Sequence, residues 1–182
     1  VHSMFLTLQG EGPFAGHRSV FVRLAGCNLM CPGCDTEYTS KREPMTPTEV
    51  VDAINIMCED STIDWNANPL VVITGGEPML QKALGPWLET QMGEWRSVQI
   101  ESNGTLVQDI PEGVPLVVSP KCAEKNGKAT KYLNPRPAML ARANCLKFVM
   151  ESDVNSPYST IPTWALDWKK DTGGEIYVSP MN

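Results

Sequence analysis

A chain of 182 residues is long enough for one domain with a sizeable core and too short for two. Hydrophobic residues make up 42% and charged ones 20%, an ordinary soluble composition; 15 basic against 21 acidic side chains give a net charge of −6, which argues against nucleic-acid binding and for a small-molecule ligand. No apolar run approaches the roughly 18 residues of a membrane helix and the amino terminus lacks a secretory signal pattern, so a cytoplasmic protein away from membranes is expected.

Val1, His2 and Ser3 read as a processing remnant. Residues 4–8 are short and mixed, and 9–16, with three glycines and a proline, read as a loop. Residues 19–25 alternate and are rich in β-formers, predicting a first strand over 20–24. Arg23 lies within it. A buried arginine needs a partner, and its planar fork suits a carboxylate, either an internal one such as Glu11 or Asp35 or one on a ligand.

Cys27, Cys31 and Cys34 follow in the stretch Ala25-Gly26-Cys27-Asn28-Leu29-Met30-Cys31-Pro32-Gly33-Cys34-Asp35-Thr36. Three thiolates at this spacing can hold three irons of a four-iron, four-sulfur cluster, which normally takes four cysteines, so one iron is left open to a small molecule. A structural zinc site would need four Cys or His ligands, and His2 and His17 lie upstream without finger spacing. Three thiols within eight residues cannot all pair as disulfides, and free thiolates agree with a reducing compartment. Cys58, Cys122 and Cys145 have no partner spacing; Cys145, in an apolar run, reads as a buried small hydrophobe. Thr36, taken alone, is a loop cap.

Thr46-Pro47-Thr48-Glu49 carries a cap, a proline at the first helical position and a glutamate three residues on, and Val50, Val51, Ile54 and Met57 fall on one face, predicting a helix over 47–58. Residues 60–68 are polar and turn-like. Residues 70–74 form an apolar run like a strand buried on both faces, ending in Gly75-Gly76. Taken alone, Thr74-Gly75-Gly76-Glu77-Pro78 is a strand-to-helix turn whose glycines allow close backbone approach to a ligand. A helix over 79–92 follows, kinked or restarted at Gly85-Pro86.

Further strands are predicted over 97–101, 114–119, 146–150 and 175–178, with loop or short helix over 123–136 and a helix over 163–169. Glu101 ends one strand before the turn Ser102-Asn103-Gly104, and Ser119-Pro120-Lys121 ends the next. Read alone, these are a solvated turn and a surface lysine. Strands alternating with helices and loops argue an α/β fold with a parallel sheet and right-handed crossovers.

Cys-x3-Cys-x2-Cys resembles the signature of radical S-adenosylmethionine (SAM) enzymes. With Leu8-Gln9-Gly10-Glu11-Gly12, Phe21-Val22-Arg23-Leu24, Cys34-Asp35-Thr36 and Thr74-Gly75-Gly76-Glu77-Pro78, the chain from Phe5 onward is similar to the 7-carboxy-7-deazaguanine synthase family. That resemblance implies a single radical SAM domain over 1–182, folded as a partial TIM-like barrel of about six parallel strands with reduced outer helices. It implies a lyase that converts 6-carboxy-5,6,7,8-tetrahydropterin to 7-carboxy-7-deazaguanine with loss of ammonia, in 7-deazapurine (queuosine-type) biosynthesis.

The same resemblance assigns Cys27, Cys31 and Cys34 to the 4Fe-4S cluster and Thr36 to Mg2+. To SAM it assigns Gly33, Cys34, Asp35, Gly76, Glu77, Glu101, Ser119, Pro120, Lys121, Ser179, Pro180, Met181 and Asn182; to the pterin it assigns Leu8, Gln9, Gly10, Arg23 and Thr74. It also implies an external one-electron reductant of flavodoxin or ferredoxin type and a homodimer. Family members continue past Asn182 with a segment that helps to close the pocket, so two arrangements are expected: a tail missing from this sequence, or a short enzyme whose pocket is closed otherwise, as by a second subunit. Two other readings stand beside this one: a glycyl-radical enzyme activating protein, and a non-catalytic iron-sulfur electron carrier, which would have no use for the Gly-Gly-Glu-Pro segment and would more often supply a fourth cysteine.

Overall fold

The structure is a computed structural model that describes residues 1–34, 36–61, 69–91 and 97–181. Its centre is a seven-stranded sheet in the order β1 (Ser3–Leu8), β2 (Arg18–Leu24), β3 (Leu70–Gly75), β4 (Val98–Ser102), β5 (Leu116–Val118), β8 (Cys145–Met150), β9 (Glu175–Pro180). All six predicted strands are present and parallel to one another. Residues 4–8, whose mixed sequence predicts nothing, form β1, paired antiparallel to β2 along the whole of its length. An edge strand needs only one paired side, so its period-2 signal is weak.

Alternation along the parallel strands sorts the side chains between two faces. Val20, Val22, Val71, Ile73, Ile100, Leu116, Val118, Leu146 and Phe148 point to one face and pack with residues of the covering helices. These helices are α1 (Pro47–Glu59), α2 (Leu84–Gln91), α3 (Pro137–Arg142) and α4 (Thr163–Thr172). Phe21 and Arg23, Val72 and Thr74, Gln99 and Glu101, Ser119, Lys147 and Val149 occupy the alternate positions. The sheet therefore has an oily outer face and a polar inner one, with its edges at β1 and β9 and no closure between them. That is the open, partial barrel with few helices that the family resemblance implies.

Three local departures from expectation have physical causes. The 79–92 helix divides into a 3-10 turn, Pro78–Leu80, and α2, which restarts at Leu84 so that Gly85 and Pro86 fall in its first turn, where a missing N–H costs nothing. Met92 lies outside the described residues, as do 62–68 of the predicted turn. Residues 123–136 are mostly not loop or helix but a hairpin of β6 (Cys122–Lys125) and β7 (Lys128–Tyr132), joined by Asn126-Gly127 with φ of 54° and 75°. Asn-Gly is the standard two-residue hairpin turn, and it was legible in the sequence. α3, beginning at Pro137, was not expected.

α1 carries the predicted capping box in full: Glu49 N donates to Thr46 Oγ1 at 3.3 Å and Thr46 N donates to Glu49 Oε2 at 2.6 Å. Val50 and Ile54 then fall on the buried side. Replacing Thr46 by Ala should lower the unfolding free energy by about 1 kcal/mol without changing the urea m-value, as read by equilibrium denaturation.

Candidate active site

The carboxyl ends of the parallel strands surround a cavity of about 230 Å³. The register of β2 on β3 sets Arg23 beside Thr74 at its rim. The cluster loop follows β2 directly and is seated by backbone contacts. Gly76 N donates to Leu24 O at 3.1 Å and Glu77 N to Gly26 O at 2.9 Å. A Cβ on Gly76 would lie 1.9 Å from Gly26 O, and one on Gly75, at φ 121°, would lie 2.3 Å from the backbone of Leu24. The two glycines line the cavity; the closest backbone to Gly75 is the end of β2, and the closest to Gly76 is the chain's own cysteine loop.

Side chains complete the seat. Asn28, between the first two cysteines, donates to Thr105 Oγ1 at 2.8 Å and accepts from Asn103 Nδ2 at 3.1 Å; Tyr38 donates to Leu29 O at 3.2 Å. Cys27 and Cys31 are half-buried and Cys34 exposed. All three line the cavity, yet among the described residues no three His, Cys, Asp or Glu side chains are placed to hold one metal ion. A cluster in which each thiolate takes a different iron asks for no convergence on a single ion. Burial pushes the Cys27 thiol up, and the Cys31 thiol up to about 11, so metal loading at neutral pH displaces protons from both.

Glu77 is fully buried and does not line the cavity. Its Oε1 accepts from Met79 N at 2.9 Å and Ser102 Oγ at 2.7 Å, and its Oε2 from Asn103 N at 2.8 Å. Burial pushes its carboxyl up while these donors pull it down, and the net direction is up. Its geometry is that of a peg joining the Gly-Gly turn to the end of β4, with both carboxylate oxygens engaged by protein donors. An extended chain explains the next departure. Side chains alternate along residues 8–11, so Gln9 is turned inward at 3% exposure while Leu8 is 58% exposed and a Cβ on Gly10 would touch nothing. Leu8, Gly10, Pro120 and Ser179 do not line the cavity; Asp35 and Asn182 are outside the described residues.

The remaining expected residues do converge. Gln9, Arg23, Gly33, Thr36, Thr74, Gly76, Glu101, Ser119, Lys121, Pro180 and Met181 line the cavity with the three cysteines. Arg23 pairs with neither Glu11 nor any other described carboxylate: Nη1 donates to Thr36 Oγ1 at 2.7 Å, and its guanidinium lies 5.5 Å from the centre of the Phe5 ring. Lys121 donates to Ser119 Oγ at 2.6 Å.

Glu11 is bound instead to Lys147, a residue that the sequence reading passed over. Lys147 Nζ donates to Glu11 Oε2 at 2.8 Å and to Glu101 Oε2 at 2.7 Å, and Glu101 Oε1 accepts from Gln9 and Gln99 at 3.0 and 2.9 Å. A lysine inside Cys145-Leu146-Lys147-Phe148-Val149 was a visible signal, by the same argument that singled out Arg23. Burial opposes the Lys147 charge, but Glu101 and Glu11 outweigh it and raise its pKa; burial likewise opposes the Glu11 charge, but Lys147 outweighs it and lowers that pKa.

A model of the radical SAM superfamily matches residues 21–119. The 7-carboxy-7-deazaguanine synthase of Rhodospirillum rubrum is 38% identical over 167 residues, covering 89% of this chain and 63% of that protein. That of Rickettsia prowazekii is 39% identical over 164 residues, covering 89% and 65%. That of Methanospirillum hungatei is 31% identical over 184 residues, covering 100% and 72%. The chain thus spans a little under two thirds of the first two relatives' length. In fold it is similar to the crystal structure of QueE from Escherichia coli, with a TM-score of 0.67 at 22% identity over 98% of this chain and 92% of that one.

Two outcomes follow from these geometries. Glu77→Gln puts an amide donor against donors and should cost about 2–4 kcal/mol of unfolding free energy in urea melts of the metal-free protein. The depressed Glu11 pKa contributes stability that is present above its ordinary 4.5 and is lost as pH falls through the folded value; the raised Lys147 pKa contributes stability that is present below its ordinary 10.5 and is lost as pH rises through its own. The melting temperature of Glu11→Gln should therefore decline less steeply than wild type on acidification below pH 4.5.

Proposed function

This chain belongs to the radical SAM superfamily and, within it, to the 7-carboxy-7-deazaguanine synthase family, and from that premise we propose that its cavity converts 6-carboxy-5,6,7,8-tetrahydropterin to 7-carboxy-7-deazaguanine with loss of ammonia. The observation that carries this reading is the convergence of Cys27, Cys31, Cys34, Arg23 and Thr74 on one cavity at the carboxyl ends of a parallel sheet.

The superfamily implies a 4Fe-4S cluster and SAM, which when bound supply the one-electron chemistry that starts hydrogen removal from the substrate. Cys27, Cys31 and Cys34 would hold the cluster. Gly33, Gly76, Ser119, Lys121, Pro180 and Met181 form the adjoining wall against which SAM would lie. Thr36 holds one N–H of Arg23, so the guanidinium is aimed before substrate arrives and its remaining donors can take a carboxylate bidentately. Thr74 stands next to it and offers a hydroxyl to the same group. Gln9, Glu11 and Glu101 supply acceptors and an amide for the N–H and C=O edges of the heterocycle.

Magnesium at Thr36 enters this proposal only with the substrate carboxylate as a bridging ligand, because the hydroxyl already accepts from a guanidinium that would repel a bare dication. No step is assigned to it. The reading carries with it an external one-electron donor of flavodoxin or ferredoxin type, a homodimer and a cytoplasmic setting. Among the described residues no helix is long and apolar enough to cross a membrane.

Anaerobic reconstitution followed by incubation with SAM, reductant and the carboxy-tetrahydropterin should yield 7-carboxy-7-deazaguanine and ammonia. Changing any of the three cysteines to Ala should abolish both the cluster absorbance and turnover, and Arg23→Lys should raise KM for the pterin by about tenfold or more. Deoxyadenosine release without the deazaguanine would leave a radical SAM protein with another substrate, and a cluster that ignores SAM would defeat the reading altogether.

A further inference from the structure

Lys147 has no part in the chemistry just described, although burying it is costly: an ammonium, 5% exposed, in the middle of β8. Its two partners come from distant parts of the sheet, Glu101 from β4 and Glu11 from the turn that follows β1. The Glu11 N–H donates to Gln9 Oε1 at 3.2 Å. Gln9 in turn donates to Glu101. One cation thus holds Glu11 directly and Gln9 through Glu101. The main chain fixes only the Gln9 end of the segment 9–11, whose N–H donates to His17 O at 2.8 Å and whose C=O accepts from Gly16 N at 2.7 Å, while a Cβ on Gly10 would meet nothing within 4 Å. The other titratable groups coupled to the pair are Lys121, which bears on Glu11, and Cys145, on the same strand.

We infer that Lys147 is a positioning residue for the substrate: it draws the 9–11 segment against the cavity, so that the Gln9 amide and the two carboxylates stand at fixed places along the edge of a heterocycle rich in N–H donors. It lines the cavity beside these groups and acts through them. The identity of the heterocycle rests on the synthase reading; the positioning does not. A lysine that merely stabilised the fold would, when lost, weaken every property of the protein together. A positioning lysine spares the cluster loop, which is anchored separately through Asn28, Gly76 and Glu77.

The test compares Lys147→Met, of similar length and no charge, with Lys147→Arg. In the metal-free protein, amide hydrogen exchange over residues 9–17 should quicken about tenfold or more in the Met variant while β3 and β4 stay protected. In the reconstituted enzyme, KM for the pterin should rise about tenfold with kcat and substrate-independent SAM cleavage within about threefold of wild type, and the Arg variant should recover most of the difference. If Lys147→Met does not fold, Glu11→Gln should give the same exchange pattern in weaker form. Unchanged exchange at 9–17, or a parallel fall of KM performance, kcat and SAM cleavage, overturns the inference. A wild type that makes no deazaguanine, with the exchange response intact, upholds the positioning and removes the synthase reading alone.

Discussion

The ammonium of Lys147 sits between the carboxylates of Glu101 and Glu11, at 2.7 and 2.8 Å, and the distances that this contact spans are what shape the molecule. β1 and β8 are five strand spacings apart in the sheet order, about 24 Å on a flat sheet at ~4.8 Å per spacing. Two extended side chains cannot reach across that gap, so the sheet must curl until the turn after β1 meets β8 and β9. The curl makes the inner face concave and turns a row of polar residues into the lining of a cavity. Transferring three charges from water costs several kcal/mol per ion, most of which their mutual attraction only returns. The triad is better understood as setting geometry than as adding stability.

A second constraint acts at the other side of the cavity. The cysteine loop has few apolar groups to bury, and it is held instead by main chain against main chain, at a point where Gly75 and Gly76 remove every intervening Cβ. Glu77 ties that turn to the end of β4 through two donors, Ser102 Oγ and Asn103 N, and Asn103 passes the connection on to Asn28 between the first two cysteines. Three separate segments, each ending a strand, are thereby fixed relative to three thiols. A cluster held by only three protein ligands needs that rigidity, because its open iron is useful only if the ligand on it has a defined neighbour.

In the proposed reading, the two anchors divide the cavity into a cofactor side and a substrate side. On the first, the contacts are glycines and backbone with Lys121 as the cation; on the second, Arg23 offers a fork for a carboxylate and the Gln9–Glu11–Glu101 group offers acceptors. An N–H-rich heterocycle bearing an acid would suit the second side. The roles given to these residues come from the family resemblance, and the side chains gathered on the cavity suit them.

The local elements were legible because their causes are local. The capping box of α1, the six parallel strands and the cysteine spacing depend on residues within a few positions of one another, and each appears where the sequence predicts it. β1 and the β6–β7 hairpin were missed, the first because an edge strand has a weak periodic signal and the second because the Asn126-Gly127 turn was read as loop. For the site, residue types and spacing marked the three thiols as one set, and the family resemblance placed Arg23 and Thr74 with them. Tertiary structure alone decided that Glu77 is spent inside the fold, that Leu8 and Gly10 face away from Gln9, and that Glu11 belongs to Lys147 rather than Arg23. Those outcomes turn on which partner a charged side chain meets across more than a hundred residues of chain, and no pattern along the sequence records the curvature that brings them together.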